Sequence, residues 1–324
     1  MIVDVHTARV RVPGTSANLG AGFDCIGMAV DLWLSASVEA EDNVDSGGAA
    51  ITIMREGSLA SLALPPEDDV LYAGFIAACA AVDRAVPERL AFFVDSEIPV
   101  ARGLGSSSAA LVAGARLADA ALELGLDVHQ LAELCTRIEG HPDNVAPALF
   151  GGAVLGVPGN GSFEARHWTF APLPVHPSLA FVFVIPPFPI ETAVARAILP
   201  REVPHEVAVR AAGKSAALAH GLSTGDGALL QIALDDVLHV PYRRTLVPGL
   251  AGLHDAARAA GAYGATLSGS GPTLVAIAPQ DIAERVADAM KERWSADGVV
   301  AESFVQRQPA KSDKKLNDIS RSSF

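Results

Sequence analysis

The sequence is poor in cysteine. It contains three, Cys25, Cys79 and Cys135, and no two of them are in C-x-x-C spacing. An odd number without paired spacing excludes a disulfide framework of the secreted kind and a zinc site built on paired cysteines. The pattern is typical of reduced thiols, and we therefore expect a cytoplasmic protein.

Positive charge and long hydrophobic runs are also scarce. The formal net charge is -13 at pH 7, which disfavours a surface for nucleic acid or for an anionic membrane. No apolar run approaches the roughly 18 residues that a spanning helix needs. Residues 1–12 alternate like a strand and lack the apolar core of a secretory signal. We expect neither a nucleic-acid partner nor a membrane, although local basic side chains can still bind an anionic substrate.

Hydrophobic residues, by contrast, make up 50% of the 324 residues, which is enough for a large core. A chain of this length predicts about two domains. A stretch rich in Gly and Pro at residues 156–161 predicts a hinge, which divides the chain into residues 1–156 and residues 157–305. The tail, residues 306–324, is polar and rich in Lys and Ser, and we expect it to be disordered.

Residues 99–113, P-V-A-R-G-L-G-S-S-S-A-A-L-V-A, are the stretch around which the chain is organised. Gly103 and Gly105 allow a sharp turn, and the serines that follow precede an apolar run suited to a helix. The free N–H groups and dipole of a helix start form a natural phosphate site. The stretch is neither a Walker loop nor G-x-G-x-x-G, and on its own it favours an ordinary capped helix after a turn.

Residues 15–24, T-S-A-N-L-G-A-G-F-D, follow a strand predicted at residues 7–12. Their small side chains let the backbone close over a ligand, to which Asn18 and Asp24 are the polar groups on offer. An Asx-capped turn explains the same two residues without a ligand.

Residues 139–152, E-G-H-P-D-N-V-A-P-A-L-F-G-G, combine two carboxylates, an imidazole and an amide. Pro142 is well placed in the first turn of a helix, so Glu139, His141, Asp143 and Asn144 could face one cleft. A single glutamate is a reasonable Mg²⁺ ligand beside phosphate oxygens and water. Taken singly, His141 is more typical of a capping or core histidine.

A third glycine-rich stretch runs from residue 261 to residue 277 and contains L-S-G-S-G-P-T. It predicts two strands joined by a crossing at residues 269–271. The glycines there favour a close backbone approach, for which the loop at residues 99–113 is a candidate, whereas a simple hairpin turn needs no ligand.

The three glycine-rich stretches, residues 15–24, 99–113 and 261–277, resemble in this order along the chain the signature motifs of the GHMP small-molecule kinases. Residues 139–152 are similar to those of the members that phosphorylate L-homoserine. Gly14 departs from the family, which more often has Ala there, and Glu191 stands where Ser or Lys is more familiar. The resemblance implies an α+β fold of two domains. The first would be like domain 2 of ribosomal protein S5, with a left-handed β-α-β crossover, and the second would be ferredoxin-like.

The resemblance also implies a nucleotide site. ATP would lie between the domains, on Pro99, Arg102, Gly103, Leu104, Gly105, Ser106, Ser107 and Ser108. Mg²⁺ would be held by Glu139, in preference to Glu133, together with Ser106 or Ser107.

For the substrate, the resemblance places Arg196 and Arg243 as a clamp on the carboxylate of L-homoserine. A planar guanidinium suits that role, although most arginines are solvated surface residues. Asn18, Asp24 and His141 would surround the ammonium group. Asn144 would orient the reacting hydroxyl and Asp143 would anchor the substrate or support the loop, with no obligatory general base.

Two alternatives stay open. The protein could be another GHMP kinase acting on L-threonine, mevalonate or shikimate, and L-threonine is the hardest of these to exclude. It could also be a relative that binds a ligand without phosphoryl transfer, although the glutamate and the serine loop disfavour this. A homodimer is common in the family, and we expect one here.

Overall fold

The structure is a computed structural model that describes residues 6–40, 50–161 and 167–312. The first half of the chain builds a six-stranded sheet with the order β3-β4-β2-β5-β6, and β1 pairs with β2. Its strands are β1 (Ala8–Ala17), β2 (Ile26–Ala40), β3 (Ile51–Gly57), β4 (Leu90–Ser96), β5 (Ala153–Pro158) and β6 (Trp168–Leu173). The helices of this half are α1 (Val70–Ala81), α2 (Ser106–Leu122), α3 (Val128–Glu139) and α4 (Pro142–Phe150).

α2 is the central helix of the first half, and nearly all of its residues are buried. It lies against α1 at backbone distance, because each helix has a glycine where they meet. A Cβ on Gly114 would lie 1.7 Å from the carbonyl oxygen of Leu71, and one on Gly74 would lie 2.1 Å from that of Leu111. The small residues of α2 therefore allow neighbouring elements to pack closely against the helix and bury it.

The starts of α3 and α4 are set by local sequence, whereas the start of α2 is not capped by one of its serines. Asp127 caps α3 through a capping box with Gln130, and Pro142 is in the first turn of α4. The residue before α2, however, is Gly105 in a left-handed conformation (φ 70°), and no serine side chain caps the helix. The hydroxyls of the serines that follow are therefore not used for capping.

The second half builds a four-stranded antiparallel sheet with the order β10-β7-β9-β8. Its strands are β7 (Leu179–Ile185), β8 (Gly264–Leu267), β9 (Leu274–Pro279) and β10 (Glu302–Gln306). The helices are α5 (Thr192–Ala197), α6 (His205–Thr224), α7 (Gly227–Ala233), α8 (Val240–Arg243), α9 (Leu250–Ala259) and α10 (Ala283–Ala296). Numbered within this half, the strand order is 4-1-3-2, with helices after the first and third strands, which is the ferredoxin-like arrangement that we predicted.

β7 joins the two halves because both of its faces are buried. Phe181 and Phe183 belong to the core of the first sheet, whereas Val182 and Val184 belong to a second core that includes Leu253 of α9 and residues of α10. The two cores therefore share one strand.

The boundary predicted at residues 156/157 falls inside the first sheet. Residues 156–158 belong to β5, and β6 pairs with β5 in an antiparallel register through Leu173. Residues 156–161 are therefore not a hinge between domains. We propose instead a division between Leu173 and Leu179.

The disorder predicted from residue 306 does not hold for residues 306–312. The side chain of Gln306 bonds the backbone of Ala29 and Asp31, at 2.9 Å in each case. Ala310 accepts from the N–H of Gly152 at 2.7 Å and donates to the carbonyl of Ala29 at 3.0 Å. Residues 313–324, the rest of the predicted tail, lie outside the described residues.

β3 and β4 are parallel neighbours, and α1 lies between them in the chain. The hand of this crossover stays a prediction. Within residues 6–40, 50–161 and 167–312, no helix is both long and apolar enough to span a membrane.

Candidate active site

A cleft of about 370 Å³ is lined by residues from both halves of the chain. Its walls come from the β1–β2 loop, the loop before α2, the turn between α3 and α4, the helices α5 and α8, and the β8–β9 loop. Its volume is in the range of small-molecule sites.

The three glycine-rich stretches meet at this cleft. The Ser268 hydroxyl donates to the carbonyl of Gly103 at 2.6 Å and lies 2.8 Å from the hydroxyl of Ser16. The N–H of Gly269 donates to the carbonyl of Ala17 at 3.0 Å. Gly103 allows this approach, because a Cβ there would lie 2.2 Å from the carbonyl oxygen of Ser268. The predicted approach of the third stretch to the loop before α2 is therefore present in the structure.

The loop before α2 presents the start of a buried helix to the cleft. Ser106 and Ser108 are buried and Ser107 is exposed. Arg102 lines the cleft, but its guanidinium donates to the carbonyls of Val100, Pro186 and Pro187. Burial lowers the pKa of Arg102. Its contacts brace the loop against the segment after β7, so a direct contact with phosphate stays a prediction.

Glu139 is the last residue of α3 and accepts a hydrogen bond from the hydroxyl of Ser108 at 2.9 Å. The left-handed Gly140 (φ 93°) then turns the chain into α4. This turn places a carboxylate beside the start of α2, where it could hold a divalent cation together with the neighbouring hydroxyls of Ser106 or Ser107. The serine that contacts Glu139 directly is thus Ser108, whereas the metal ligands that we expected were Ser106 or Ser107.

His141 and Asp143 form a buried pair, with Nδ1 of the imidazole 2.5 Å from Oδ1 of the carboxylate. Burial alone would lower the pKa of His141, but the charge and hydrogen bond of Asp143 outweigh it, and the pKa is raised. Asp24 lies close by, and these three residues offer ligand atoms within 4.8 Å of one another. The group is a compact acidic lining for a positive charge.

Asn144 is held by a residue that the sequence did not single out. The hydroxyl of Thr15 donates to Oδ1 of Asn144 at 2.8 Å. This bond uses the acceptor end of the amide, so its N–H₂ end is the one left for a ligand. The position of Thr15 at the start of the first glycine-rich stretch is the only signal that could have found it.

The two predicted arginines have different environments. Arg196 is half-buried and forms a bidentate pair with Asp24, with N···O distances of 2.8 and 3.2 Å. Arg243 is 2% exposed and lines the cleft. Burial, with Arg196 as the next cause, lowers the pKa of Arg243 to about 10.

Asn18 lines the cleft, but both ends of its amide have partners. Oδ1 accepts from the backbone N–H of Asp24 and Nδ2 donates to the carbonyl of Gly269, each at 3.0 Å. Asn18 therefore stabilises the loop with its side chain, as the interpretation without a ligand predicts. Its contact with an ammonium group stays a prediction.

Comparison with known proteins identifies the family. The family model for the GHMP kinases N terminal domain matches residues 73–152, and that for the GHMP kinases C terminal matches residues 216–296. A homoserine kinase of Microchaete diplosiphon is 38% identical over 298 residues, which are 92% of this chain and 94% of that protein. One from Nostoc sp. is 39% identical over 297 residues, 92% of this chain and 95% of that protein. The chain belongs to the GHMP kinases.

Solved structures agree with this assignment. The crystal structure of homoserine kinase from Cytophaga hutchinsonii has a TM-score of 0.81 and 28% identity, and covers 94% of this chain and 96% of that one. L. major mevalonate kinase in complex with R-mevalonate has a TM-score of 0.67 at 18% identity, covering 96% of this chain and 98% of that one. At that identity the likeness shows the GHMP fold alone.

One wall of the cleft in this GHMP kinase was missed by the sequence reasoning. Three leucines and one valine from the chain between β3 and the start of α1 line it. They are Leu59, Leu62, Leu64 and Val70. No motif marks them, because scattered aliphatic residues before a helix are typical of any core.

Proposed function

We propose that this GHMP kinase transfers the γ-phosphoryl group of ATP to the side-chain hydroxyl of L-homoserine, giving O-phospho-L-homoserine and ADP. The observation that carries the proposal is the charge pattern at one end of the cleft. Asp24, His141 and Asp143 lie beside Arg196 and Arg243, so that acidic and basic groups face one small volume. The name homoserine kinase, borne by relatives of 38% and 39% identity, supports the same substrate.

The amino-acid end of L-homoserine matches this pattern. Arg196 and Asp24 pair with each other at 2.8 Å. A zwitterion can insert between them, because its carboxylate replaces Asp24 on the guanidinium and its ammonium replaces Arg196 on the carboxylate. We place the carboxylate between Arg196 and Arg243, and the ammonium group beside Asp24, His141 and Asn18.

The nucleotide end is the remainder of the cleft. The phosphates would lie on the loop from Pro99 to Ser108, whose free N–H groups and helix dipole favour anions. The base would lie against the aliphatic wall around Leu59 and Val70, which is suited to a flat apolar ring.

The donor set beside the loop fits Mg²⁺, which takes few protein ligands besides phosphate and water. Glu139 would hold it with a hydroxyl of Ser106 or Ser107. The hydrogen bond from Ser108 to Glu139 orients that carboxylate towards the loop. A bound Mg²⁺ would neutralise charge on the phosphates.

Asn144 would orient the reacting hydroxyl. Its acceptor end is engaged by Thr15, so it would donate to the hydroxyl oxygen and could not take the proton. A loose transition state needs no strong base, and the proton can leave late to a phosphate oxygen. Asp143, paired with His141, would anchor the substrate.

We also propose that the protein is cytoplasmic, as its unpaired cysteine spacing favours, and that it is a homodimer, as its resemblance to the family implies. Light scattering of the purified protein tests the oligomeric state, and a mass of one chain would contradict it.

A coupled ADP-release assay tests the proposed reaction with L-homoserine, L-threonine, mevalonate and shikimate. We expect kcat/KM to be highest for L-homoserine. Asn144→Ala, purified in the same way, controls for kinases of the expression host. Turnover of L-threonine or mevalonate at least as efficient as that of L-homoserine would contradict the proposal.

A further inference from the structure

His239 is a fully buried histidine that immediately precedes α8, the short helix that carries Arg243. Its Nε2 lies 3.1 Å from the carbonyl oxygen of Gly20, and its Nδ1 lies 3.3 Å from Nη1 of Arg243. The ring of Phe23 stacks on it, with centroids 5.1 Å apart and 19° between the planes. His239 thus links the β1–β2 loop to the arginine.

These contacts define which ring nitrogen carries the proton. A guanidinium only donates hydrogen bonds, so Nδ1 of His239 accepts from Arg243. The proton is therefore on Nε2, where it is donated to Gly20. Burial lowers the pKa of His239, Asp236 opposes that shift and Arg243 adds to it, so the imidazole stays neutral. Asp236 is occupied by backbone N–H groups, including that of His239 at 2.7 Å.

The same contacts leave one part of Arg243 for the cleft. Nε donates to the carbonyl of Ala195 at 3.0 Å, and Nη1 donates to the carbonyl of Gly269 at 3.0 Å and to His239. Nη2 has no hydrogen-bond partner among the described residues, although the side chain lines the cleft. Because the guanidinium is planar, the hydrogen bonds of Nε and Nη1 also fix the direction in which the N–H groups of Nη2 point.

We infer that His239 is a positioning residue for substrate binding: as a neutral acceptor it fixes the plane of Arg243 so that Nη2 faces the carboxylate of the amino-acid substrate. The inference rests on the proposed function, in which Arg243 is half of the carboxylate clamp. His239 itself touches no substrate. Its effect is exerted through the orientation of the guanidinium, and Phe23, which stacks on His239 and lies 5.6 Å below Arg243, keeps both groups in place.

Two conservative variants separate the two hydrogen bonds of the ring. In His239→Asn, Oδ1 lies as many bonds from the backbone as Nδ1 and can still accept from Arg243, but the donor to Gly20 is lost. In His239→Gln, Nε2 can still donate to Gly20, but no acceptor stands at the position of Nδ1, because Oε1 lies one bond further from the backbone. Both variants remove one hydrogen bond from the same buried place.

We expect His239→Gln to raise KM for L-homoserine about tenfold, as for a weakened hydrogen bond to a charged group, with KM for ATP within twofold of wild type. His239→Asn should raise KM for L-homoserine less than threefold. Thermal unfolding of both variants reports stability separately. Equal KM values for L-homoserine in the two variants, or an equal rise of KM for ATP, would overturn the inference and leave His239 a structural residue.

A double-mutant cycle with Arg243→Leu completes the test. If His239 acts through the arginine, His239→Gln adds less than twofold to KM for L-homoserine once the arginine is gone. Independent, multiplying effects contradict the inference. A failure of the proposed function is seen separately, because wild type would then turn over L-homoserine no more efficiently than L-threonine or mevalonate, or not at all.

Discussion

Replacing Gly103 by alanine tests how tightly the loop before α2 depends on the third glycine-rich stretch. The backbone of Gly103 is left-handed, with φ at 71°. A new Cβ would lie 2.2 Å from the carbonyl oxygen of Ser268 and 2.9 Å from the N and O atoms of Gly271. All three atoms are backbone, so no side-chain rotation relieves the contact.

The magnitude follows from two terms. A left-handed alanine costs about 1–2 kcal/mol. Moving a carbonyl by about 1 Å to an ordinary C···O distance adds about 1–3 kcal/mol, as for other overpacked sites. We therefore expect Gly103→Ala to lower the free energy of unfolding by about 2–5 kcal/mol.

Gly125 provides a matched control. Its φ is 75°, and a Cβ there would have no atom within 4 Å. Gly125→Ala should show the backbone term alone, about 1–2 kcal/mol. Urea unfolding measures both variants, and KM for ATP should rise severalfold in Gly103→Ala only. If Gly103→Ala is no less stable than Gly125→Ala, the contact with Ser268 does not constrain the loop and the reasoning is wrong.

Glu139→Gln should keep its fold by circular dichroism and lose the turnover that depends on added Mg²⁺, because an amide is a poor ligand; unchanged activity at low Mg²⁺ would contradict this. Arg196→Lys should raise KM for L-homoserine about tenfold to a hundredfold, since a bidentate contact is lost, and a change confined to KM for ATP would refute the assignment. Asp143→Asn should mainly raise KM, whereas Asn144→Ala should lower kcat. An acid limb in the wild-type rate that Asp143→Asn abolishes, with kcat about a thousandfold lower, would reveal a carboxylate base. Because burial depresses the pKa of His239 in the folded state, the unfolded chain binds the extra proton below pH 6.5. His239 alone should therefore contribute a fall in stability below about pH 6.5 of up to about 1.4 kcal/mol per pH unit, and the total fall should be smaller in His239→Asn, measured by urea unfolding at each pH.

The parts of the fold that the sequence predicts are those fixed by local chemistry. Pro142 lies in the first turn of α4, as predicted, because the fixed φ of proline acts within one turn. The meeting of the loop at Gly103 with the stretch at Ser268 was predictable for a different reason, since glycines outside turns mark close backbone approach.

Gly156 shows why glycine also led to a wrong prediction, that of a hinge. It was interpreted as part of a hinge, yet it lies in β5, and a Cβ there would lie 2.6 Å from the side chain of Pro142. Glycine is needed there because the start of α4 packs on the strand. Sequence alone does not distinguish a glycine that frees the chain from one that admits a neighbour.

The hydrogen-bond partners of the site's arginines were beyond sequence reasoning for the same kind of cause. Arg243 is buried because three acceptors from separate parts of the chain converge on it, from Ala195, Gly269 and His239. Arg102, expected at the phosphates, is used by carbonyls after β7. Such partners are set by tertiary packing, which no local pattern records.

Residues 306–312 also bear on how the protein is made. Gln306 and Ala310 bond Ala29 and Asp31, which precede them by roughly 275 residues in the order of synthesis, and Ala310 also bonds Gly152. The middle of β2 therefore lacks these hydrogen-bond partners until the ribosome has synthesised nearly all of the chain that lies between them. Unpaired strand groups invite other chains, and pairings so distant form slowly. Chains released before residue 306 should thus be the ones that aggregate and that chaperones retain.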